Sequence, residues 1–522
     1  MTADLSILAN RIYDWTQKAP DLDVLTFVSI NASGQFVEEF RTYKQLWNNG
    51  QKLAAHLISM GMRKGDSFGV VMANHPEFID LMVASSIVGT IFVPIDPRTK
   101  GSQLEFMLDH AECKGAYVAD YAMASVNEVW AGTDKWIIPL LDNDQSVSSI
   151  LAENSPEPAL IVQSSDATAP MQMLYTSGTT GNPKAILSPH DRFAVGLSVG
   201  ELLGITDQDR PYTGLSLTHA NAQLVTLGCI LGMGLRGVIS RTFTKSRLWD
   251  ITRHYGCTWF NLLGGMTTAI YAEAPKDDDA ENPVRIVLSA GMPAAIWSEF
   301  EQRFDVQISE FYGAAEGGLA LNVNGAGPVG SCGKAPQSYE LKILDTDDRE
   351  CPSGEAGEIC FRNPDGSSPI VKYYKKPEAS IEKTRNGWLR MGDIGHVDKN
   401  GWLFFHYRKG GGIRRNGEFI DPALIEKVIS AINFVDDVFV YGVPASTGVP
   451  GEKDIVAAIM IVGDSEFERD LIFRICREKL ATNYIPTYLQ IIDEIPKTAS
   501  EKPQERFLLQ AFKNEPTNVF RS

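Results

Sequence analysis

The chain has little cysteine, little histidine and a shortage of positive charge. Its seven cysteines (Cys113, Cys229, Cys257, Cys332, Cys351, Cys360, Cys476) are odd in number and scattered, with no CxxC pair and no His/Cys cluster. That pattern excludes a disulfide framework and a structural zinc site and fits a reducing compartment. Acidic residues outnumber basic ones, 65 to 48, for a formal net charge of −17. Nucleic acid is therefore excluded as a general partner, and an anionic ligand needs a local positive site. The strongly apolar uncharged stretch "LMVASSIVGTIFVPI" between Asp80 and Asp96 falls short of the roughly 18 to 20 residues of a membrane span. "MTADLSILANRIYDW" carries Asp4, no basic n-region and no small-residue cleavage site, so it does not read as a signal peptide. A cytoplasmic protein with no integral membrane segment is expected. No internal repeat or low-complexity segment interrupts the chain.

What is present is ordinary globular material in quantity. At 522 residues the chain exceeds the roughly 250 to 300 at which one core stops growing. Short β-rich runs ("FGVVMAN", "TIFVPID", "GAYVAD", "KWIIPLL", "ALIVQ", "WFNLL", "RIVLSAG", "VQISEFYG") alternate with helical segments. The expected class is α/β with largely parallel sheets. "LAAHLISMGM" is spaced as a helix that ends by Gly65-Asp66. Surface connections are expected at 151–159 and in the acidic stretch 274–283. A composition shift near 408 divides a large N-terminal domain of α/β subdomains (1–408) from a small α+β C-terminal domain (409–522). The latter consists of helix "ALIEKVISAI", strands "DVFVYGV" and "DIVAAIMIV", and helix "FERDLIFRICREKL".

"YTSGTTGNPKA" follows an apolar run. Thr176, Ser177, Gly178, Thr179, Thr180 and Gly181 offer backbone N–H groups and hydroxyls that can approach a phosphate closely, with Lys184 as the cation. The Walker pattern is absent, because Lys184 lies three residues after Gly181 and Ala185 follows it. On composition alone such a turn is more often a surface loop. Its companions, in order, are "SAGMP" (289–293), "EFYGAAEGG" (310–318), "GWLRMGDIGHVDKNGWLFFHYR" (387–408), "NGEFIDPALIEKVI" (416–429) and "IPKTASEKPQERF" (495–507). With these blocks the chain resembles, nearly end to end, the AMP-forming adenylate-forming superfamily of acyl-CoA synthetases, peptide-synthetase adenylation domains and firefly luciferase. Its layout is nearest to crotonobetaine/carnitine-CoA ligase-type enzymes.

The resemblance implies an ATP-dependent acid:CoA ligase. A carboxylate attacks the α-phosphorus of ATP to give an acyl-adenylate and pyrophosphate, and CoA then forms the thioester after the C-terminal domain rotates. ATP, Mg²⁺ and coenzyme A are the implied cofactors, with a small-molecule carboxylic acid as substrate and a monomer or homo-oligomer as the form. By the same resemblance, residues 176–181 and Lys184 cradle the β- and γ-phosphates. Glu316, with Thr176, serves Mg²⁺. Gly291, Tyr312, Gly313 and Ala315 line the adenine and phosphate side. Asp393 and Arg408 hold the ribose. Lys502 is the mobile catalytic lysine, with Lys497 as a second candidate, and His219 lies near the acyl group. Gly410 is the hinge, and Arg415 and Gly417 face CoA, with Arg414 beside them.

Four positions depart from the family pattern: Ala315 for a common Thr, Gly410 for Asp or Lys, Asn416 for Gly, and Glu501 for Gly. These departures keep a degenerate nucleotide-binding regulatory protein as an alternative. A free-standing loader of a carrier-protein thiol is another, although no carrier segment follows Ser522. The implied acyl-pocket segments supply Asn221, Gln223, Asn261, Gly264, Gly265, Gly317 and Gly318, suggesting a roomy pocket with polar handles.

Overall fold

The computed structural model describes residues 3–141, 145–176, 183–409, 412–415, 418–446, 452–463, 465, 467–498 and 503–522, with the side chains of 198, 324, 418 and 419 outside that description. The chain is α/β and forms two compact units. One comprises Met1–Asn261, Pro283–Ile286 and Ile370–Glu382; the other comprises Leu262–Asn282, Val287–Pro369 and Lys383–Ser522.

In the first unit, six strands run in the order Trp136–Pro139, Cys113–Val118, Ser67–Val71, Ile91–Ile95, Pro170–Thr176, Lys184–Pro189. All neighbours are parallel except the last pair, an antiparallel hairpin. Ser67–Val71 is buried along its whole length, as expected for a parallel strand covered on both faces. Val71, Val93, Leu104, Leu108 and Val118 share one core cluster, each such side chain contributing about 1.5–3 kcal/mol of burial. A second set of strands in this unit runs Phe36–Thr42, Asp23–Ile30, Gly237–Ser240, Pro211–Thr213 and then residues 259–261 of the strand Trp259–Leu263, parallel apart from the first pair.

Helix Tyr43–Ser59 starts on a reciprocal capping box between Thr42 and Gln45, a device worth about 1 kcal/mol. It stops at Ser59, ahead of the expected Gly65-Asp66, because Gly61 already takes φ +77° and turns the chain. Helix Pro76–Val88 begins with proline at its first turn and closes on Gly89 at φ +79°. One expected strand is absent: "ALIVQ" is irregular. Gln51 takes the place of a ladder partner there, accepting from Leu160 N–H at 2.7 Å and donating to Leu160 O at 3.1 Å, while Ile161 is 79% exposed.

In the second unit, Gly317–Leu321 pairs antiparallel with Gln307–Ala314, which neighbours Ile286–Ala290. A four-stranded antiparallel sheet follows, Glu340–Leu344, Gly357–Arg362, Leu389–Val397, Leu403–Arg408. Beyond it, strands Val435–Pro444, Lys453–Ile461, Tyr488–Ile491 and Val519–Arg521 form one sheet. Helices Pro422–Ser430 and Arg469–Lys479 share a core with it through Ile425, Ile429, Ile472, Phe473 and Ile455. Leu508 of helix Glu505–Asn514 joins Tyr441 and Val456 in a separate cluster. The two helices and two strands expected in this region are all present.

All seven cysteines are free. Among the described residues, no helix is long and apolar enough to cross a membrane, and no three His, Cys, Asp or Glu side chains converge.

Candidate active site

In the first unit the strands Pro170–Thr176 and Lys184–Pro189, which flank the glycine-rich segment in sequence, pair antiparallel. Thr176 and Lys184 are register partners, and Thr176 Oγ1 donates to Lys184 O at 3.3 Å. Ser177, Gly178, Thr179, Thr180 and Gly181 lie outside the described residues. The hairpin's far side is tied down: Tyr374 N–H donates to Ala185 O and Leu187 N–H to Lys372 O. Segment 372–374 thus brings the Tyr373 ring under the exposed Lys184, whose ammonium lies 5.1 Å from the ring centroid. Such a contact holds a cation without neutralising it.

The loop carrying His219 is fixed by buried Asn74, which accepts from Leu217 N–H at 2.7 Å and donates to Leu215 O and Ser240 O at 2.9 Å each. His219 Nδ1 accepts from Asn221 N–H at 3.2 Å. In the neutral ring the proton is therefore on Nε2. Residues Asn221–Leu227 form a π-helix, a form found often at functional sites.

In the second unit three named residues come together. Tyr312 Oη donates to Asp393 Oδ2 at 2.5 Å, and Arg408 Nε lies 4.0 Å from Asp393 Oδ1. Asp393 and Arg408 are cross-strand partners, so the sheet register makes this pairing. Burial raises the Tyr312 hydroxyl above its ordinary value, and the Asp393 charge adds to the effect. The phenol stays protonated and remains a donor. Asp393, with about four acceptor sites, keeps capacity for further hydroxyls.

Gly291 adopts φ +101°, and its backbone approaches that of Gly264 so closely that a Cβ on Gly264 would lie 2.6 Å from Gly291 O. The turn is held from below by Glu310, which accepts from Gly291 N–H at 2.5 Å and Met292 N–H at 3.1 Å. Burial pushes the Glu310 carboxyl up to about 8, against these donors. Gly313 packs similarly on Gly318 O. Ala315 and Glu316 are the two tip residues of the tight turn between Gln307–Ala314 and Gly317–Leu321, with Glu316 part-buried.

Sequence reasoning missed two residues here. Glu310 was visible in principle: Ile308, Glu310 and Tyr312 alternate on one face of a strand, which puts a carboxylate on a buried face. Lys383 was not. Its ammonium donates to Met391 O at 3.2 Å, two residues before Asp393. Burial pulls it below the ordinary lysine value, opposed by Glu316, reinforced by Arg408 and opposed again by Asp393 and Glu358.

Toward the C-terminus, Arg415 donates to Ile485 O at 2.5 Å, and Arg414 lies 3.8 Å from Glu452. Lys497 is paired with Asp437 at 2.7 Å. Lys502, Gly410, Asn416, Gly417 and Glu501 lie outside the described residues.

Residues 13–371 match the AMP-binding enzyme family model, and 424–502 match that of the AMP-binding enzyme C-terminal domain. The chain belongs to the AMP-binding enzyme family. Within this family it is 29% identical over 486 residues to a medium/long-chain-fatty-acid–CoA ligase of Mycobacterium marinum, covering 91% of this chain and 92% of that one. It is 26% identical over 508 residues to a crotonobetaine/carnitine–CoA ligase of Escherichia coli O7:K1, covering 94% and 96%. The fold of this AMP-binding enzyme matches the crystal structure of the anthranilate CoA ligase AuaEII in complex with anthranoyl-AMP at a TM-score of 0.83, with 21% identity and 98% of each chain covered.

Proposed function

We propose that this AMP-binding enzyme is an AMP-forming carboxylic acid:CoA ligase that works through an acyl-adenylate. The observation that carries this reading is the Tyr312–Asp393–Arg408 cluster next in sequence to the Glu310-supported Gly291 turn. That arrangement offers a shared carboxylate for two ribose hydroxyls and a flat backbone shelf for a base. Thr176, residues 177–181 and Lys184 receive the polyphosphate, with the Lys184 ammonium, held beside the Tyr373 ring, supplying positive charge. Since both reacting partners are anions, neutralisation and alignment carry the catalysis.

Glu316 fits Mg²⁺: a single oxygen donor at a turn tip matches a cation held by one or two carboxylates together with substrate phosphates. When bound, Mg²⁺ would screen charge on the phosphate oxygens. Ala315 offers no hydroxyl to the α-phosphate, and Lys383, near Glu316 and Asp393, provides a compensating cation. His219, whose Nε2 carries the proton in the neutral ring, faces the acyl side as a donor. Lys502 bridges the acid carboxylate and the nucleotide during adenylation. Gly410 is the hinge for the second half-reaction, in which Arg415 and Gly417 meet CoA. Domain limits of 1–408 and 409–522 follow from that hinge. The seven free cysteines support a reducing, cytoplasmic setting.

The test is pyrophosphate release over a panel of acids, followed by thioester formation with CoA. Acid-dependent release and a CoA thioester are expected. Release without thioester would point to a carrier-protein thiol, and no release with any acid would leave a nucleotide-binding protein without ligase activity.

A further inference from the structure

Beside His219, a group of buried amides is left half-bonded. Asn261 Nδ2 donates to Asn221 Oδ1 at 2.6 Å, and the two residues are only 1% and 7% exposed. This contact leaves Asn221 Nδ2 and Asn261 Oδ1, a donor and an acceptor, buried without partners. Reversing both amides leaves the same balance of one donor and one acceptor. Gln223 Nε2 donates to Leu217 O, yet its Oε1 is unpartnered, as is Thr226 Oγ1, and both side chains are fully buried. Asn221 and Thr226 are five residues apart, one hydrogen-bonded π-turn. Buried polar atoms are nearly always bonded in folded proteins, and a half-satisfied network is less stable than an apolar core of the same shape. A leucine or valine at these positions would remove the penalty, so the network implies an occupant that completes it.

Resting on the ligase reading, we infer that these amides select the acid: the substrate carries a neutral group that both donates and accepts, a hydroxyl or a carboxamide, on its acyl portion. The group accepts from Asn221 Nδ2 and donates to Asn261 Oδ1. A plain alkyl chain would leave all four polar atoms unpaired. A cationic substituent finds no counter-charge among Asn221, Gln223, Thr226 and Asn261. The link to the acyl group is His219, whose ring is hydrogen-bonded by the Asn221 backbone.

The test uses the purified full-length enzyme with matched acids: hexanoate against ω-hydroxyhexanoate, and cyclohexanecarboxylate against its hydroxy derivative. Pyrophosphate release should favour the hydroxy acid by about 10- to 100-fold in kcat/KM. In the double variant Asn221→Leu/Asn261→Leu the preference should reverse. The single variant Asn221→Leu, which removes the proposed donor alone, should narrow it several-fold even if the double variant folds poorly. Equal or better use of the unsubstituted acids by the wild type, or a preference unmoved by both variants, would overturn the inference and leave buried water as the occupant. Ligand-induced shifts in melting temperature provide a parallel readout. If no acid releases pyrophosphate the ligase reading fails, while the shifts still report which acid is bound.

Discussion

Two polar regions of this enzyme are built on opposite principles. Around Asp393 the groups satisfy one another: Tyr312 donates to Asp393, Arg408 is its cross-strand neighbour, and Glu310 secures Gly291 and Met292. Around Asn221 they do not, and amide and hydroxyl atoms stay buried and unpaired. A preorganised site suits a ligand common to the whole family, since nothing has to rearrange when it binds. An unfinished site suits a ligand particular to one member, whose own groups complete the network.

The comparison breaks first at Asp393. Asp393→Ala should lower kcat/KM for ATP by about 10²- to 10³-fold, through loss of charged acceptor bonds worth about 1.5–3 kcal/mol each. An unchanged ATP dependence in the pyrophosphate assay would remove Asp393 from nucleotide binding. Next is Lys383→Met, which should cost about 10-fold in the same parameter while leaving the melting temperature unchanged or higher, because a half-buried charge gives way to an apolar side chain. Loss of stability with intact kinetics would make Lys383 purely structural.

Glu310 sharpens the contrast through pH. Its carboxyl is raised from 4.5 to about 8 on folding, so between these values the folded state binds more protons than the unfolded state. Its contribution to stability is complete below the unfolded value and is lost as pH rises through about 8. Between pH 6 and 9 the wild-type melting temperature should fall more steeply than that of Glu310→Gln; parallel curves would contradict the assignment. The smallest effect is expected for Ala315→Thr. A restored hydroxyl at the turn tip should lower KM for ATP about two-fold, the low end of one neutral hydrogen bond, since Lys383 already supplies a cation there; a rise in KM in the pyrophosphate assay would contradict the assignment of Ala315 to the phosphate side.

Much of this was readable from sequence because it rests on local pattern. The parallel strand Ser67–Val71, the strand Pro170–Thr176 ahead of the glycine-rich segment and the C-terminal helices and strands follow from apolar periodicity and turn chemistry. "ALIVQ" misled because an apolar run need not meet a ladder partner, and here Gln51 took the backbone groups instead. Glu310 could have been found by strand alternation. Lys383 could not, since only the fold brings the end of helix Pro377–Lys383 to Met391. Arg415 also donates to the Ile485 carbonyl, a contact 70 residues away in sequence that no local pattern announces.

The most direct test of the central claim is to incubate the full-length enzyme with ATP, Mg²⁺ and a hydroxy acid in the absence of CoA, quench, and measure enzyme-bound acyl-AMP against released pyrophosphate. Equal amounts of both, near one per enzyme, are expected, with quantitative conversion of the adenylate to thioester when CoA is then added. Release of ADP and phosphate, or a thioester formed only when CoA is present from the start and with no adenylate detected, would contradict the claim.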